Sequence, residues 1–236
     1  MTQSSGSETR AEVPAWDVST RLFHWLLVAL IVSAYVTRTY SDDPTLYLHR
    51  MNGYAIWVLL IFRLLWGLVG SSTALFAGFL PWPGPAWRYL IAMGRRQRMH
   101  FLGHNPLGGA LILLMLLAVM AQATTGLFTT DDTLAQGPLY DHVSEAVSRS
   151  AGSYHAKGLW IIAALATVHI LANLTYQFAL REKLITAMLT GRKPAGRYVD
   201  QQQAQIAPAW RAVLCLGLSV ALVGGGVIAA NGSLLH

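Results

Sequence analysis

The stretch YHAKGLWIIAALATVHILANL, residues 154–174, decides the fold of this chain because it places two histidines in one long apolar segment. His155 and His169 lie fourteen residues apart, which is close to four turns of an α-helix. Both imidazoles are therefore expected on the same helix face, about 21 Å apart along the axis. A bilayer core is about 30 Å thick, so one histidine is expected near each side of it. Ionisable groups at such depth are costly and indicate function.

The composition predicts an all-α, multi-pass membrane protein. Hydrophobic residues make up 54% of the 236 residues and charged residues 12%, about half the charged share of a typical soluble domain. Five apolar runs are long enough to span the hydrocarbon: residues 18–37, 51–70, 106–128, 156–179 and 209–230. The first run lacks a small-residue cleavage site, so it is expected to remain as a helix.

Cysteine content and charge exclude several classes of function. The single cysteine, Cys215, allows no disulfide and no iron–sulfur cluster held by this chain alone, and no C-x-x-C-H motif for covalent haem attachment is present. Cys215 is expected to be a packing residue. The net charge of +6 comes from bases beside the predicted spans. Membrane topology and contact with anionic lipid explain this charge better than nucleic acid does.

The chain divides into three predicted regions. A flexible cytoplasmic tail covers residues 1–15, a four-helix transmembrane domain covers 16–200, and a fifth span with a short periplasmic end covers 201–236. Within the second region, residues 85–98 are predicted to form an amphipathic helix at the membrane surface. The alternative is a solvated loop whose tryptophans face the membrane.

Helix boundaries follow from capping residues and charge. The first helix is expected from Val18, capped by Asp17 or Ser19, the second from His49 to Gly70, and the third from Pro106. Lys and Arg concentrate in the tail and in the connections 71–105 and 181–211, whereas the connections 38–48 and 129–152 are acidic. The positive-inside rule therefore predicts a cytoplasmic N-terminus and a C-terminus on the outer side of the membrane.

This topology pairs four histidines by depth. His24 and His169 are expected near the cytoplasmic side, and His49 and His155 near the periplasmic side, each pair from two helices. Two facing imidazoles suit the axial positions of a haem iron, so the pairs predict two non-covalent, bis-histidine haem b groups. A proton path or another metal is the alternative. Zinc fits poorly because each level offers two ligands and no carboxylate.

Other polar and small residues support the same interpretation. Arg63 lies fourteen residues after His49, and because no acid lies within any span, a haem propionate would be its partner. Snorkelling to the interface is the alternative. Gly53, one turn beyond His49, would make room for a macrocycle, as would five other glycines of the second and third spans: Gly67, Gly70, Gly108, Gly109 and Gly126. Close helix packing explains each glycine equally well.

His104, just before the third span, could contact a propionate, a quinone or a proton route, or could be a plain interface residue. His100, His142 and His236 are expected to be solvated. Tyr154 is expected to be an interfacial anchor.

Several motifs in order resemble the bacterial cytochrome b561 and nickel–iron hydrogenase cytochrome b subunit family. They are WDVSTRLFHWLL, HRMNGYAIWVLLIFRLLWGLVGS, HNPLGGALILLMLLAVMAQATTGLF and YHAKGLWIIAALATVHILANL, and the similarity covers residues 15–197. The resemblance implies a four-helix core with two b haems, held by His24 with His169 and by His49 with His155. The fifth span resembles the hydrogenase-type branch.

The resemblance also implies a function, namely electron transport between the quinone pool of a respiratory chain and a periplasmic or membrane redox partner, such as a cytochrome c or a hydrogenase. No catalytic residue is predicted, and whether the chain is itself an enzyme stays open. The runner-up is a stand-alone oxidoreductase that oxidises superoxide and reduces quinone. A cationic patch near the periplasmic haem would favour it by steering an anion, but Arg50, Arg149 and Lys157 are offset by acids. A non-redox anchor or a proton transporter is the third possibility.

Overall fold

The computed structural model describes residues 11–38, 43–80, 83–95, 97, 99–130 and 136–231. It is almost entirely helical. The helices are α1 (Val18–Thr37), α2 (Asp43–Val69), α3 (Phe76–Phe79), α4 (Pro83–Gly94), α5 (Pro106–Gly126), α6 (Glu145–Leu174), α7 (Leu184–Thr190) and α8 (Ala209–Asn231). A short 3-10 turn covers Tyr140–His142, and a π-helical turn, Thr175–Ala179, continues α6. Two short strands, β1 (Glu12–Pro14) and β2 (Arg192–Pro194), pair antiparallel.

Five helices are long and apolar enough to cross a membrane, which confirms the predicted multi-pass all-α class. They are Val18–Thr37, Pro44–Val69, Pro106–Gly126, Glu145–Ala179 and Ala209–Ala230. Their outer surfaces carry large apolar side chains in the open, as a lipid-facing bundle requires. Trp160 is 70% exposed and Phe178 is 74% exposed.

The helices pack as two pairs with one addition. α1 packs against α2, α5 packs against α6, and α8 packs on the other side of α2, while α2 also contacts α5. A buried cluster that includes Leu60, Trp66 and Leu116 fills the centre. No close-packed backbone interface joins α6 to α1 or α2 in the described part of the chain. Space therefore separates α6 from these two helices.

One end of the bundle is closed by long-range contacts, and we call it the capped end: β1, β2 and residues 99–104 and 191–207. Glu12 pairs with Pro194, and Asp200 accepts the backbone N–H groups of Leu102 and Gly103 at 2.7 and 2.8 Å. Gly191 ends α7 with a φ of 82°, a conformation that glycine adopts without strain. The opposite end, where α1 joins α2 and α5 joins α6, is called the loop end.

Several predicted boundaries differ from the structure. Residues 12–14 form β1 and are not part of a flexible tail as predicted. The sequence gives no local signal for this strand, because its partner strand lies about 180 residues away. The second helix begins at Asp43 rather than His49, with Pro44 in its first turn, where a missing N–H costs nothing. The fourth span begins at Glu145, where Ser144 accepts the N–H of Val147. Both helices therefore extend beyond their apolar runs.

Other boundaries agree with the sequence. The first helix begins at Val18, and Asp17 rather than Ser19 caps it by accepting the N–H of Thr20. α4 confirms a helix between the second and third spans, although it covers Pro83–Gly94 instead of 85–98. Its position on a membrane surface stays a prediction. Residues 1–10 of the tail and residues 232–236 of the predicted periplasmic end lie outside the described residues.

Candidate functional site

The structure brings the four histidines together in the two pairs that their depths predict. The ring centres of His24 and His169 are 6.4 Å apart, near the capped end. Those of His49 and His155 are 6.2 Å apart, nearer the loop end. In each pair one ring comes from α6 and the other from α1 or α2. The histidines thus reach across the space that separates these helices.

These distances suit one metal ion between each pair of imidazoles. A metal–imidazole bond is about 2 Å long, and the ring nitrogen lies about 1 Å from the ring centre. Two ligands on opposite sides of one ion therefore place their ring centres about 6 Å apart. Direct ring packing would bring the centres as close as about 4.5 Å. Since ring contacts extend to about 7 Å, the spacing of both pairs fits a shared ion as well as a direct ring contact. The described residues hold no group of three or more His, Cys, Asp or Glu, so each pair offers two ligands.

The His49–His155 pair is oriented by backbone carbonyls. Nδ1 of His49 lies 3.1 Å from the carbonyl oxygen of Ala34, and Nδ1 of His155 lies 2.9 Å from that of Gln122. A carbonyl only accepts, so each Nδ1 carries the proton and donates it. The Nε2 lone pair of both rings is then free for a metal. Metal-bound histidines in proteins commonly have this arrangement.

The His24–His169 pair has a different environment. Nδ1 of His24 is buried and has no hydrogen-bond partner among the described residues. His169 has only the side-chain amide of Asn173, at 3.3 and 3.4 Å from its two ring nitrogens. A buried polar atom without a partner is costly. This unsatisfied nitrogen and the spacing of the rings fit a ligand bound between the two histidines.

Arg63 is the most deeply buried charged residue of the candidate site. It is 4% exposed, and its guanidinium carbon lies 4.7 Å from the centre of the Phe76 ring. Its Nη1 atom has no partner in the described part of the chain. Asp17, just before the first span, is the acid whose charge acts on Arg63, and the five apolar runs themselves contain no acid, as the sequence indicates.

His104 lies at the capped end between two aromatic rings, 4.7 Å from Trp16 and 4.8 Å from Phe79. Its Nδ1 is buried and unpartnered among the described residues. Burial, followed by the charges of Arg63 and Lys193, lowers the pKa of His104 to about 3. It lines a cavity of about 330 Å³ together with residues that include Ser72, Thr73 and Asp200. His104 is therefore a neutral ring close enough to Arg63 for the charge of the guanidinium to act on it.

The candidate glycines separate into two kinds. A Cβ at Gly53 would meet nothing within 4 Å, which leaves open space beside His49. A Cβ at Gly126 would lie 2.9 Å from Cε1 of His155, so the ring needs a glycine there. Gly67 and Gly109 instead touch Phe76 and Phe79, where a Cβ would overlap them. Close packing explains these two better than room for a cofactor.

The polar residues that hold the histidines were not predicted from the sequence. Gln122 and Thr125 of α5 both contact His155, and Thr37 of α1 lies 3.2 Å from Nδ1 of His49. Isolated polar residues in apolar spans were the available signal, since each must find a partner there. Of the remaining histidines, His142 is exposed, His100 pairs with Glu182 at 2.9 Å, and His236 lies outside the described residues.

Comparison with known proteins gives a matching family and several relatives. Relatives named "Probable Ni/Fe-hydrogenase B-type cytochrome subunit" occur in Rhizobium leguminosarum bv. viciae, with 24% identity over 78% of this chain and 90% of the relative. The Azotobacter vinelandii relative of the same name is 22% identical over 76% of this chain and 87% of its own length. The family model of prokaryotic cytochrome b561 matches residues 15–191. The chain therefore belongs to the prokaryotic cytochrome b561 family, the membrane cytochromes b that carry haem in electron transport.

Proposed function

We propose that this protein carries electrons across a bacterial inner membrane between the quinone pool and a redox protein on the periplasmic side. The proposal rests on two pairs of histidines, whose ring centres are 6.2 and 6.4 Å apart. One histidine of each pair lies on α6. Their α6 ligands are about 21 Å apart along the helix axis. Two relay sites at this spacing divide the membrane into short electron-transfer steps.

His49 and His155 would hold one haem b through their free Nε2 atoms, and His24 and His169 would hold the other through one ring nitrogen each. A haem bound there supplies a reversible one-electron step at its iron. His49 and His155 are held for this role by the carbonyls of Ala34 and Gln122. Between the two levels, Ile162 lies seven residues from both α6 histidines and is 8% exposed. Apolar side chains at this level exclude water from the region between the sites.

Arg63 and His104 would bind the acidic edge of the haem at the His24–His169 site. Both have a buried nitrogen without a partner in the described residues, and a propionate would satisfy the charge of Arg63. A buried cation needs such an anion, because leaving it unpaired costs several kcal/mol. Gly53 would provide room at the other site, since a Cβ at this position would meet nothing within 4 Å.

The orientation follows from the distribution of bases. The capped end contains β1, β2 and the Lys- and Arg-rich connections, so it would face the cytoplasm and the loop end the periplasm. Residues 16–200 would form the di-haem domain, with α8 added on the outside of α2. The partner would be a hydrogenase-like protein or a cytochrome c, because the relatives carry the name of hydrogenase cytochrome subunits.

The superoxide alternative has less support. It needs a free cationic patch near the His49–His155 pair, and Arg149, one of the three bases in question, pairs with Glu145 at 2.7 Å. This pair cancels part of the patch, so electron relay remains the better-supported function.

The test is haem quantification and reduced-minus-oxidised spectra of the purified protein. The parent is expected to hold two b haems per chain, and His155→Ala and His169→Ala are each expected to lose one, from different sites. His142→Ala, a change at an exposed histidine outside both pairs, is the matched control and should keep both haems. Unchanged spectra in both ligand variants would refute the proposal. Reduction by a quinol analogue in vesicles then tests the exchange with quinone.

A further inference from the structure

We propose that Gln122 is a positioning residue for His155, which sets the ring's tautomer and so lowers the reduction potential of the His49–His155 site. This role rests on the proposed function. Gln122 contacts His155 twice, in opposite directions. Its backbone carbonyl accepts from Nδ1 of His155 at 2.9 Å, and its side-chain Nε2 donates to the backbone carbonyl of His155 at 2.8 Å.

These two bonds form a clamp between α5 and α6. The side-chain bond fixes the backbone of His155 against α5, and this holds the imidazole over the carbonyl of Gln122. The assignment of the amide follows from chemistry, because an amide oxygen facing the carbonyl of His155 would repel it. The other end of the amide, Oε1, is buried and has no partner in the described residues. Leaving Oε1 unsatisfied costs free energy, so the hydrogen bond at Nε2 must compensate for it.

Two glycines allow the clamp to form. A Cβ at Gly158 would overlap Oε1 of Gln122 and would push the end of this side chain out of its present position. A Cβ at Gly126 would lie 2.9 Å from Cε1 and 3.3 Å from Nδ1 of His155. Cε1 joins the two ring nitrogens, and pressure on it would turn Nε2 away from His49. The ring is therefore held by hydrogen bonds on one side and by shape on the other.

The chemical consequence is electronic as well as geometric. An imidazole that donates its Nδ1 proton to a carbonyl gains electron density at Nε2 and becomes a more basic ligand. A more basic axial ligand favours the oxidised iron and lowers the potential. The other pair provides a comparison within the same molecule, because Nδ1 of His24 makes no such bond among the described residues.

Gln122→Met tests the clamp, since it keeps the length of the side chain and removes the donor. We expect the potential of the His49–His155 site to rise, and its ferric electron paramagnetic resonance signal to shift, while the other site keeps its values. Signals are assigned with His169→Ala, which retains only the His49–His155 site. Gly126→Ala disturbs the same ring from its other side and should lower haem occupancy at that site alone. Gly152→Ala, on α6 with nothing within 4 Å of its Cβ, is the matched control.

The outcomes separate the two proposals. If His155→Ala removes one haem but Gln122→Met and Gly126→Ala leave the potential and signal of that site unchanged, the positioning role is refuted and the di-haem function stands. Equal shifts at both sites would also refute it, because they indicate a general disturbance of the bundle. If His155→Ala leaves both haems in place, the proposed function fails and the role of Gln122 fails with it. If Gln122→Met does not fold, Gly158→Ala decides, because its Cβ would displace the side-chain amide of Gln122 while residue 122 stays unchanged.

Discussion

Replacing Asp17 by alanine should destabilise the bundle at the first turn of α1. The carboxylate is 5% exposed and accepts two bonds from Thr20, from its N–H at 2.6 Å and from its hydroxyl at 2.9 Å. Trp66 of α2, which is 1% exposed, donates its indole N–H to the same hydroxyl at 3.2 Å. Asp17 therefore caps α1 and also joins it to the central helix.

The expected loss follows from these contacts. Removing an N-cap costs about 1 kcal/mol, and a buried hydroxyl left without its acceptor costs about 1–3 kcal/mol more. The total is about 2–4 kcal/mol. At about 2–4 °C per kcal/mol for a chain of this size, the thermal midpoint should fall by roughly 4–16 °C. His24 lies two turns after the cap, so the haem at its site should be released first.

The assay is thermal unfolding of the haem-loaded protein in detergent, followed by the Soret absorbance. Ser144→Ala is the matched control because Ser144 also caps a spanning helix. The distance from its Oγ to the N–H nitrogen of Val147 is 3.5 Å and the bond is exposed, so this variant should lose about 0.5–1 kcal/mol. Equal losses for the two variants would refute the reasoning, since the buried bonds of Asp17 would then contribute nothing beyond an ordinary cap.

Three further predictions concern the sites and the capped end. The ring planes of His49 and His155 are 86° apart, and those of His24 and His169 are 46° apart. The ferric protein should therefore give two resolved low-spin electron paramagnetic resonance signals, and His155→Ala should lose the signal with the larger anisotropy. A single type of signal would contradict this. Arg63→Met should lower the potential of the His24–His169 site in a redox titration, because a cation stabilises the reduced state, and an unchanged potential would contradict it. Burial lowers the pKa of Lys193 to about 8. The free energy of unfolding should therefore rise between about pH 8 and 10.5, because the cost of burying the charge disappears as Lys193 loses its proton. The same rise in Lys193→Met would show that another group causes it.

The positions of the spans and of the histidine pairs could be predicted because both depend on local periodicity. Length and hydropathy locate a spanning helix, and fourteen residues on a helix fix the spacing of His155 and His169 regardless of tertiary contacts. Topology then assigns depths to His24 and His49. Each of these steps uses residues close in sequence and one general property of membranes.

The capped end could not be predicted because its bonds join residues far apart in sequence. Lys193 donates to the carbonyl of Phe101 at 2.9 Å, ninety-two residues away, and β1 pairs with β2 across most of the chain. The holding groups of the histidines were missed for a related reason. Two of them are backbone carbonyls, of Ala34 and Gln122, and a carbonyl is the same at every position of a sequence.

A spacing of fourteen residues separates two polar side chains of the candidate sites on each of two helices, but the residue types differ. On α6 it leads from His155 to His169, and on α2 it leads from His49 to Arg63. In the proposed function, α2 would provide a ligand at one level and a cation at the other, and the second ligand at that level would come from His24 on α1. Carbonyl-bonded imidazoles would lower the potential of the haem at one site, and Arg63, bound to a propionate as proposed, would raise that of the haem at the other. We therefore expect electrons to move downhill from the His49–His155 site to the His24–His169 site.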